Sequence, residues 1–355
     1  MASLIRGLVR APETWKVALM YHSWLDRWDD RRAQRGNSVK SAEVFSLDAH
    51  LSFPIAEHDN ISVGDFVQLS EQAIASGSFF EEPTPSELHY KWKDGWIEYP
   101  SSLETEVMQN NCVRAQVTDS ISKKHALILF HHWNATKRHK KIAAFLAKRG
   151  ISVVQIAMPY HFERARSDAS YADYMISSNL GRTLQSMRQA VLDGRKLIRI
   201  LEHEGYDHIS VLGISLGSWI AGLVAATDQS VKKAGLFLTG GSLADMVWTG
   251  DATKHIRSSL EGQIDTKQLN AVWSLLNLEN YTRQLARPGL ELQIVVATRD
   301  TVVLPHLAES LIAQLHQAGA SVDTLRLNCG HYSFSMPPYI LPAGVRTMRF
   351  LQGEE

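Results

Sequence analysis

The stretch SVLGISLGSW, Ser210–Trp219, sets a hydroxyl, Ser215, between two glycines, Gly213 and Gly217. Either the serine is a nucleophile lifted out of a tight turn, or an apolar strand ends in small residues that merely pack. The flanks bear on the choice. Upstream, ISVLG (Ile209–Gly213) is a short apolar run of strand type; from Ser215 onward the residues are small and apolar, as in a buried helix. G-x-S-x-G alone is a weak signal. Between a strand and a helix it has a mechanism. The turn is so tight that side chains at the flanking positions would collide. The serine backbone is strained, and the hydroxyl stands at the head of a helix, where free N–H groups and the helix dipole favour negative charge.

Outward from this turn the same alternation repeats. ALILF (Ala126–Phe130), ISVVQIA (Ile151–Ala157), AGLFLTG (Ala234–Gly240), ELQIVVAT (Glu291–Thr298) and VDTLRLN (Val322–Asn328) read as strands. A helix is expected over Lys137–Arg149, with Ile142, Phe145 and Leu146 on one face and Gly150 as its stop. Another is expected over Arg182–Glu204, where Leu184, Met187, Val191, Ile198 and Leu201 recur at helical spacing, and a third over Pro305–Ala318. Strands that alternate with helices and are apolar through most of their length predict an α/β fold, with a mostly parallel sheet covered on both faces. The segment 242–288 breaks the rhythm. It is mainly helical and too long for a plain connection, so it reads as an insertion over the C-terminal edge of the sheet.

Two strand ends downstream bear on the serine. TRDTVVLP places Asp300 after ELQIVVAT, and NCGHYSF places His331 after VDTLRLN. The order Ser, Asp, His suits nucleophile, acid and base on such a sheet. Asp245, in GGSLAD after AGLFLTG, is a rival acid. On these residues the chain from Asn110 to Leu351 resembles the α/β-hydrolase superfamily. The resemblance implies an eight-stranded, mostly parallel sheet with its site at the strand C-terminal ends. It implies Ser215 as nucleophile, His331 as base and Asp300 as acid. The oxyanion loop departs from the usual His-Gly-x and reads His131-His132-Trp133-Asn134. The backbone N–H of Trp133 is then the match for the second oxyanion donor, beside that of Leu216. The implied activity is a serine hydrolase cleaving a carboxylic ester through an acyl-enzyme. Alternatives are a thioester, lactone or peptide bond, transfer to an alcohol, or a catalytically silent binding protein. The complete set of three residues argues against the last.

Composition bounds the rest. The 355 residues are 45% hydrophobic and 21% charged, ordinary for a soluble globular chain. Lys plus Arg and Asp plus Glu each number 37, so no net charge argues for nucleic acid or an acidic substrate. Two cysteines, Cys112 and Cys329, are too few for a disulfide framework. Free thiols in a reducing, cytoplasmic setting are the simpler expectation. No run approaches a membrane span, and MASLIRGLVRAPETW lacks the pattern of a secretion signal. Residues 1–109 read as an N-terminal extension packing on a hydrolase domain at 110–355, whose cap insertion lies at about 242–288. The extension has a helix over Leu4–Asp30 carrying Trp15, Trp24 and Trp28, then the strand-like HYKWKDGWIEYPS. Eight basic against four acidic residues in the first forty raise peripheral membrane contact through that helix; packing on the core is the simpler reading.

The stretch MPYHFERARSD (Met158–Asp168) follows the strand ISVVQIA and is expected to face the same pocket. Glu163, Arg164 and Arg166 read either as a carboxylate-binding set or as a salt-bridged loop. His132, His161, Arg164 and Trp273 are candidate substrate contacts. Adjacent histidines at a strand end point apart, so His131, His132 and His161 do not argue for a metal, and no cofactor is expected. Cys329 reads as a buried loop cysteine. The expected partner is a small-molecule acyl substrate. Oligomeric state is not readable.

Overall fold

The computed structural model describes residues 13–38, 40, 44–55, 61–82 and 87–353. Helices α1 (Glu13–Ser38) and α2 (Val63–Ser76) precede strands β1 (Lys91–Lys93), β2 (Trp96–Pro100), β3 (Cys112–Thr118) and β4 (His125–Phe130). Then follow α3 (Lys140–Ala147), β5 (Ile151–Ile156), α4 (Leu180–His203), β6 (His208–Ile214), α5 (Leu216–Thr227) and β7 (Val231–Phe237). The segment after β7 holds α6 (Leu243–Thr249), α7 (Lys254–Leu260), α8 (Thr266–Val272) and α9 (Thr282–Leu285). The chain ends with β8 (Glu291–Ala297), α10 (Pro305–Gln317), β9 (Val322–Leu327) and α11 (Ile340–Gln352).

All nine strands form one sheet in the order β1-β2-β3-β5-β4-β6-β7-β8-β9. From β5 to β9 the pairing is parallel, while β1, β2 and β3 are antiparallel. The count is one more than the eight that the resemblance implies. The hairpin β1–β2, from the segment ahead of residue 110, extends the edge at β3. It turns at Asp94-Gly95, both at positive φ, the pair that matches a two-residue turn to strand twist.

The parallel strands are apolar because both faces are covered. Along β4, Ala126, Ile128 and Phe130 face one core layer, with α4, α5 and α10. Leu127 and Leu129 face the other, with α3, α11 and Leu25 of α1. Every residue of α5 from Leu216 to Ala226 is buried. The segment 242–288 is helical as expected, and Val247, Leu269, Val272 and Leu275 join the larger core layer.

Helix α1 runs on to Ser38, further than its sequence pattern suggested; residues 4–12 of that expectation lie outside the described residues. It lies on the core. Leu25, Asp29 and Ala33 are buried, and Asp26 takes a hydrogen bond from Arg299 Nε at 2.8 Å. Among the described residues, no helix is long and apolar enough to cross a membrane.

Candidate active site

Strand β6 passes into α5 within one residue, Ser215, whose backbone sits at φ 54° and ψ −124°. Side chains seldom adopt that region, and the surroundings must hold it there. They do so closely. A Cβ on Gly213 would strike the carbonyl of Gly217, and a Cβ on Gly217 would strike the carbonyls of Phe130 and His131. Glycine at both positions lets α5 begin against the loop that follows β4. The Ser215 N–H donates to Phe237 O at 2.8 Å, and Ser215 O accepts from Ser218 N–H at 2.7 Å.

His331, in the loop after β9, places Nε2 at 3.0 Å from Ser215 Oγ and Nδ1 at 2.7 Å from Asp300 Oδ2. Asp300 is buried in the turn after β8. Its Oδ1 accepts the N–H groups of Val302 at 2.8 Å and Val303 at 2.9 Å. The backbone therefore fixes one carboxylate oxygen and leaves the other for the imidazole. An acceptor at Nδ1 keeps the proton on that nitrogen, so Nε2 is free to accept from the serine hydroxyl. Asp245, the rival acid, instead accepts from Asn270 Nδ2 at 2.7 Å within the segment after β7.

A residue that sequence reasoning missed steadies the histidine. Asp29, on α1, accepts the N–H groups of Tyr332 at 2.6 Å and Ser333 at 3.0 Å. Nothing in the local sequence of an amphipathic helix signals so distant a partner.

The N–H groups of Leu216, the residue after the serine, and of Trp133, in the loop after β4, have no backbone acceptor among the described residues. The loop bearing Trp133 is held by two neutral histidines. His131 donates from Nδ1 to His132 O at 2.9 Å and accepts Met158 N–H on Nε2 at 3.2 Å. His161 donates from Nδ1 to Pro159 O at 2.8 Å and accepts Asn134 N–H on Nε2 at 2.9 Å. Burial keeps both uncharged, moving His131 well below its ordinary value and His161 to about 4.

Several expected substrate contacts lie elsewhere. His161 is buried with both ring nitrogens bound to backbone, so it braces the loop. Arg164 is 0% exposed. It pairs with Asp193 at 2.8 Å and donates to Asn110 O and Ala157 O, as a buried guanidinium must to be tolerated. Glu163 pairs with Arg138, and Arg166 with Asp168 and Asp173, so the stretch after β5 is the salt-bridged loop. Trp273 is also 0% exposed, its Nε1–H donating to Leu180 O at 3.2 Å. It ties the segment after β7 to α4. His132 is lowered from its ordinary value chiefly by burial, and its Nδ1–H donates to Trp133 O at 2.8 Å. Cys329 is buried, with its thiol pushed up to about 12 by that burial. Among the described residues, no group of three or more His, Cys, Asp or Glu side chains is arranged to hold a metal ion.

No family model matches the chain, and no curated protein matches it. Solved structures do match. An acetyl xylan esterase from Paenibacillus sp. R4 superimposes with TM-score 0.60 at 14% identity, over 86% of this chain and 99% of that one. A protein described as lipase (open form) gives TM-score 0.54 at 12% identity, over 72% and 97%. Pyrococcus horikoshii acylaminoacyl peptidase gives TM-score 0.55 at 12% identity, over 72% of this chain and 41% of that one, so this chain spans about two fifths of the peptidase. These are α/β-hydrolase proteins, and this chain has the α/β-hydrolase fold.

Proposed function

We propose that the protein is a serine hydrolase that cleaves carboxylic esters, with Ser215 as nucleophile, His331 as base and Asp300 as orienting acid. The observation that carries this reading is the unbroken hydrogen-bonded chain from buried Asp300 through His331 to a serine on a strained turn. A neutral hydroxyl is a poor nucleophile. As Ser215 Oγ bonds to the ester carbon, its proton passes to His331 Nε2, and Asp300 stabilises the imidazolium. The tetrahedral oxyanion is received by the N–H groups of Leu216 and Trp133. Each such donor contributes about 2.7–4 kcal/mol of transition-state stabilisation. The carbon–oxygen bond to the alcohol then breaks, and His331 returns its proton to the leaving oxygen. Water, deprotonated by the same imidazole, releases the acid from Ser215.

The esterase description of the Paenibacillus protein, with its nearly complete two-way coverage, supports an ester over other acyl bonds. In this reading the segment 242–288 is a cap over the nucleophile, and the residues before 110 extend the hydrolase domain. Two free cysteines agree with a cytoplasmic setting. The test is Ser215→Ala, which the elbow accommodates. Hydrolysis of para-nitrophenyl acetate should fall to background while the circular dichroism and melting temperature stay native. Retention of more than a few per cent of activity in the folded variant would refute the assignment.

A further inference from the structure

Lys40 follows α1 and brings its ammonium over the loop that carries Trp133. Its Nζ stands 3.6 Å from the centre of the Trp133 ring and 5.7 Å from that of Tyr171. A second group lies along the same indole. His255 of α7 stacks on Trp133 at 6.0 Å and 15°, and its Nδ1 lies 3.0 Å from Asn37 Oδ1. Trp133 Nε1–H donates to Ala172 O at 2.9 Å, which fixes the ring. Three separate parts of the chain thus converge on one indole, two residues beyond the His131 carbonyl that Gly217 accommodates.

Arg164, Arg166, Arg182, Lys233 and Lys254 each have a carboxylate within ion-pair distance, whereas Lys40 has none among the described residues. Burial without a counter-ion lowers the Lys40 ammonium to about 8, so it is charged at neutral pH. The same burial, with Lys40 adding to it, holds His255 at about 4, so the histidine is neutral there. A partly desolvated cation on an aromatic platform is stabilised by the ring quadrupole, and its remaining N–H donors still lack an anion.

We propose that Lys40, seated on Trp133, is the subsite for an anionic group of the substrate, a carboxylate or a phosphate, held beside the scissile ester. Lys40 acquires this role only if Ser215 is the nucleophile; the cation and its platform exist regardless. The anion binds by charge-assisted hydrogen bonds to Nζ, strengthened by the low local dielectric. Neutral esters lack that contact and are disfavoured in comparison.

The test uses the full-length protein and binding of phenyl phosphate, benzoate and neutral benzamide. Calorimetry gives their dissociation constants, and competition against para-nitrophenyl acetate gives their inhibition constants. Wild type should bind at least one of the two anions more tightly than benzamide, and the stronger anion identifies phosphate or carboxylate as the fitting group. Lys40→Met should weaken that anion about tenfold or more relative to benzamide, and Lys40→Arg should keep most of the preference. Equal affinities for anions and benzamide in wild type, or an anion preference that survives Lys40→Met, overturns the subsite. If wild type hydrolyses no ester, the proposed function fails, and the calorimetric comparison still decides whether Lys40 binds anions.

Discussion

The loop after β5 and the loop after β9 lie at the same end of the sheet and both carry ionisable side chains, yet they end differently. After β5, the ionisable groups close on the protein itself: Arg164 on Asp193, Glu163 on Arg138, Arg166 on Asp168 and Asp173, His161 on two backbone groups. After β9, the chain of hydrogen bonds from Asp300 through His331 closes on a single hydroxyl, Ser215, which is only half-buried. Density of charge therefore does not single out the proposed site in this molecule. What singles it out is a polar chain that terminates in a hydroxyl on strained backbone, where a substrate would continue it.

The contrast can be broken by substitution. Asp300→Asn should lower kcat by about 10⁴-fold, the scale for triad acids that lose the correct imidazole tautomer, with little loss of stability, while Asp245→Asn should change kcat little. The reverse ranking, read from steady-state kinetics, would transfer the acid to the segment after β7. In the loop after β5, and at Trp273 in the segment after β7, the expected damage is to folding. Arg164→Met removes the ion-pair partner of the buried Asp193 carboxylate, at a cost of roughly 3–5 kcal/mol, and Trp273→Ala opens a cavity of similar cost. Denaturant titration reads both. If either variant kept its stability but lost turnover, the division between a structural loop and a catalytic one would collapse.

A smaller effect sharpens the same division. His161 sits at about 4 and His131 well below its ordinary value, both because of burial. An unfolded imidazole titrates near 6.5, so on acidification the unfolded state takes up protons first. The stability present above that pH is then lost as the pH falls toward the folded value. For a histidine like His161 this amounts to about 2 kcal/mol between pH 7 and 5. Denaturant titrations at the two pH values should show the loss, and His161→Gln should reduce it. An unchanged slope in the variant would mean that His161 is not the buried neutral brace described.

The parallel half of the sheet was legible because strands buried on both faces must be apolar throughout, as ISVVQIA and ELQIVVAT are. The turn at Ser215 was legible because its two glycines answer to backbone collisions that any residue with a Cβ would make. The edge hairpin was legible as strand-like but not as part of the same sheet, since pairing with β3 is a long-range event. Arg164 and Trp273 misled for one reason. Charge and aromatic area serve a pocket or a core equally well in sequence, and only burial, complete for both, separates the two. Asp29 was invisible because its partners lie about three hundred residues away.

Covalent labelling reads most directly whether His331 activates Ser215. A fluorophosphonate probe, followed by peptide mass spectrometry, should place one adduct on Ser215, with labelling slowed by orders of magnitude in His331→Ala. An adduct on another residue, or none in folded wild-type protein, would contradict the account.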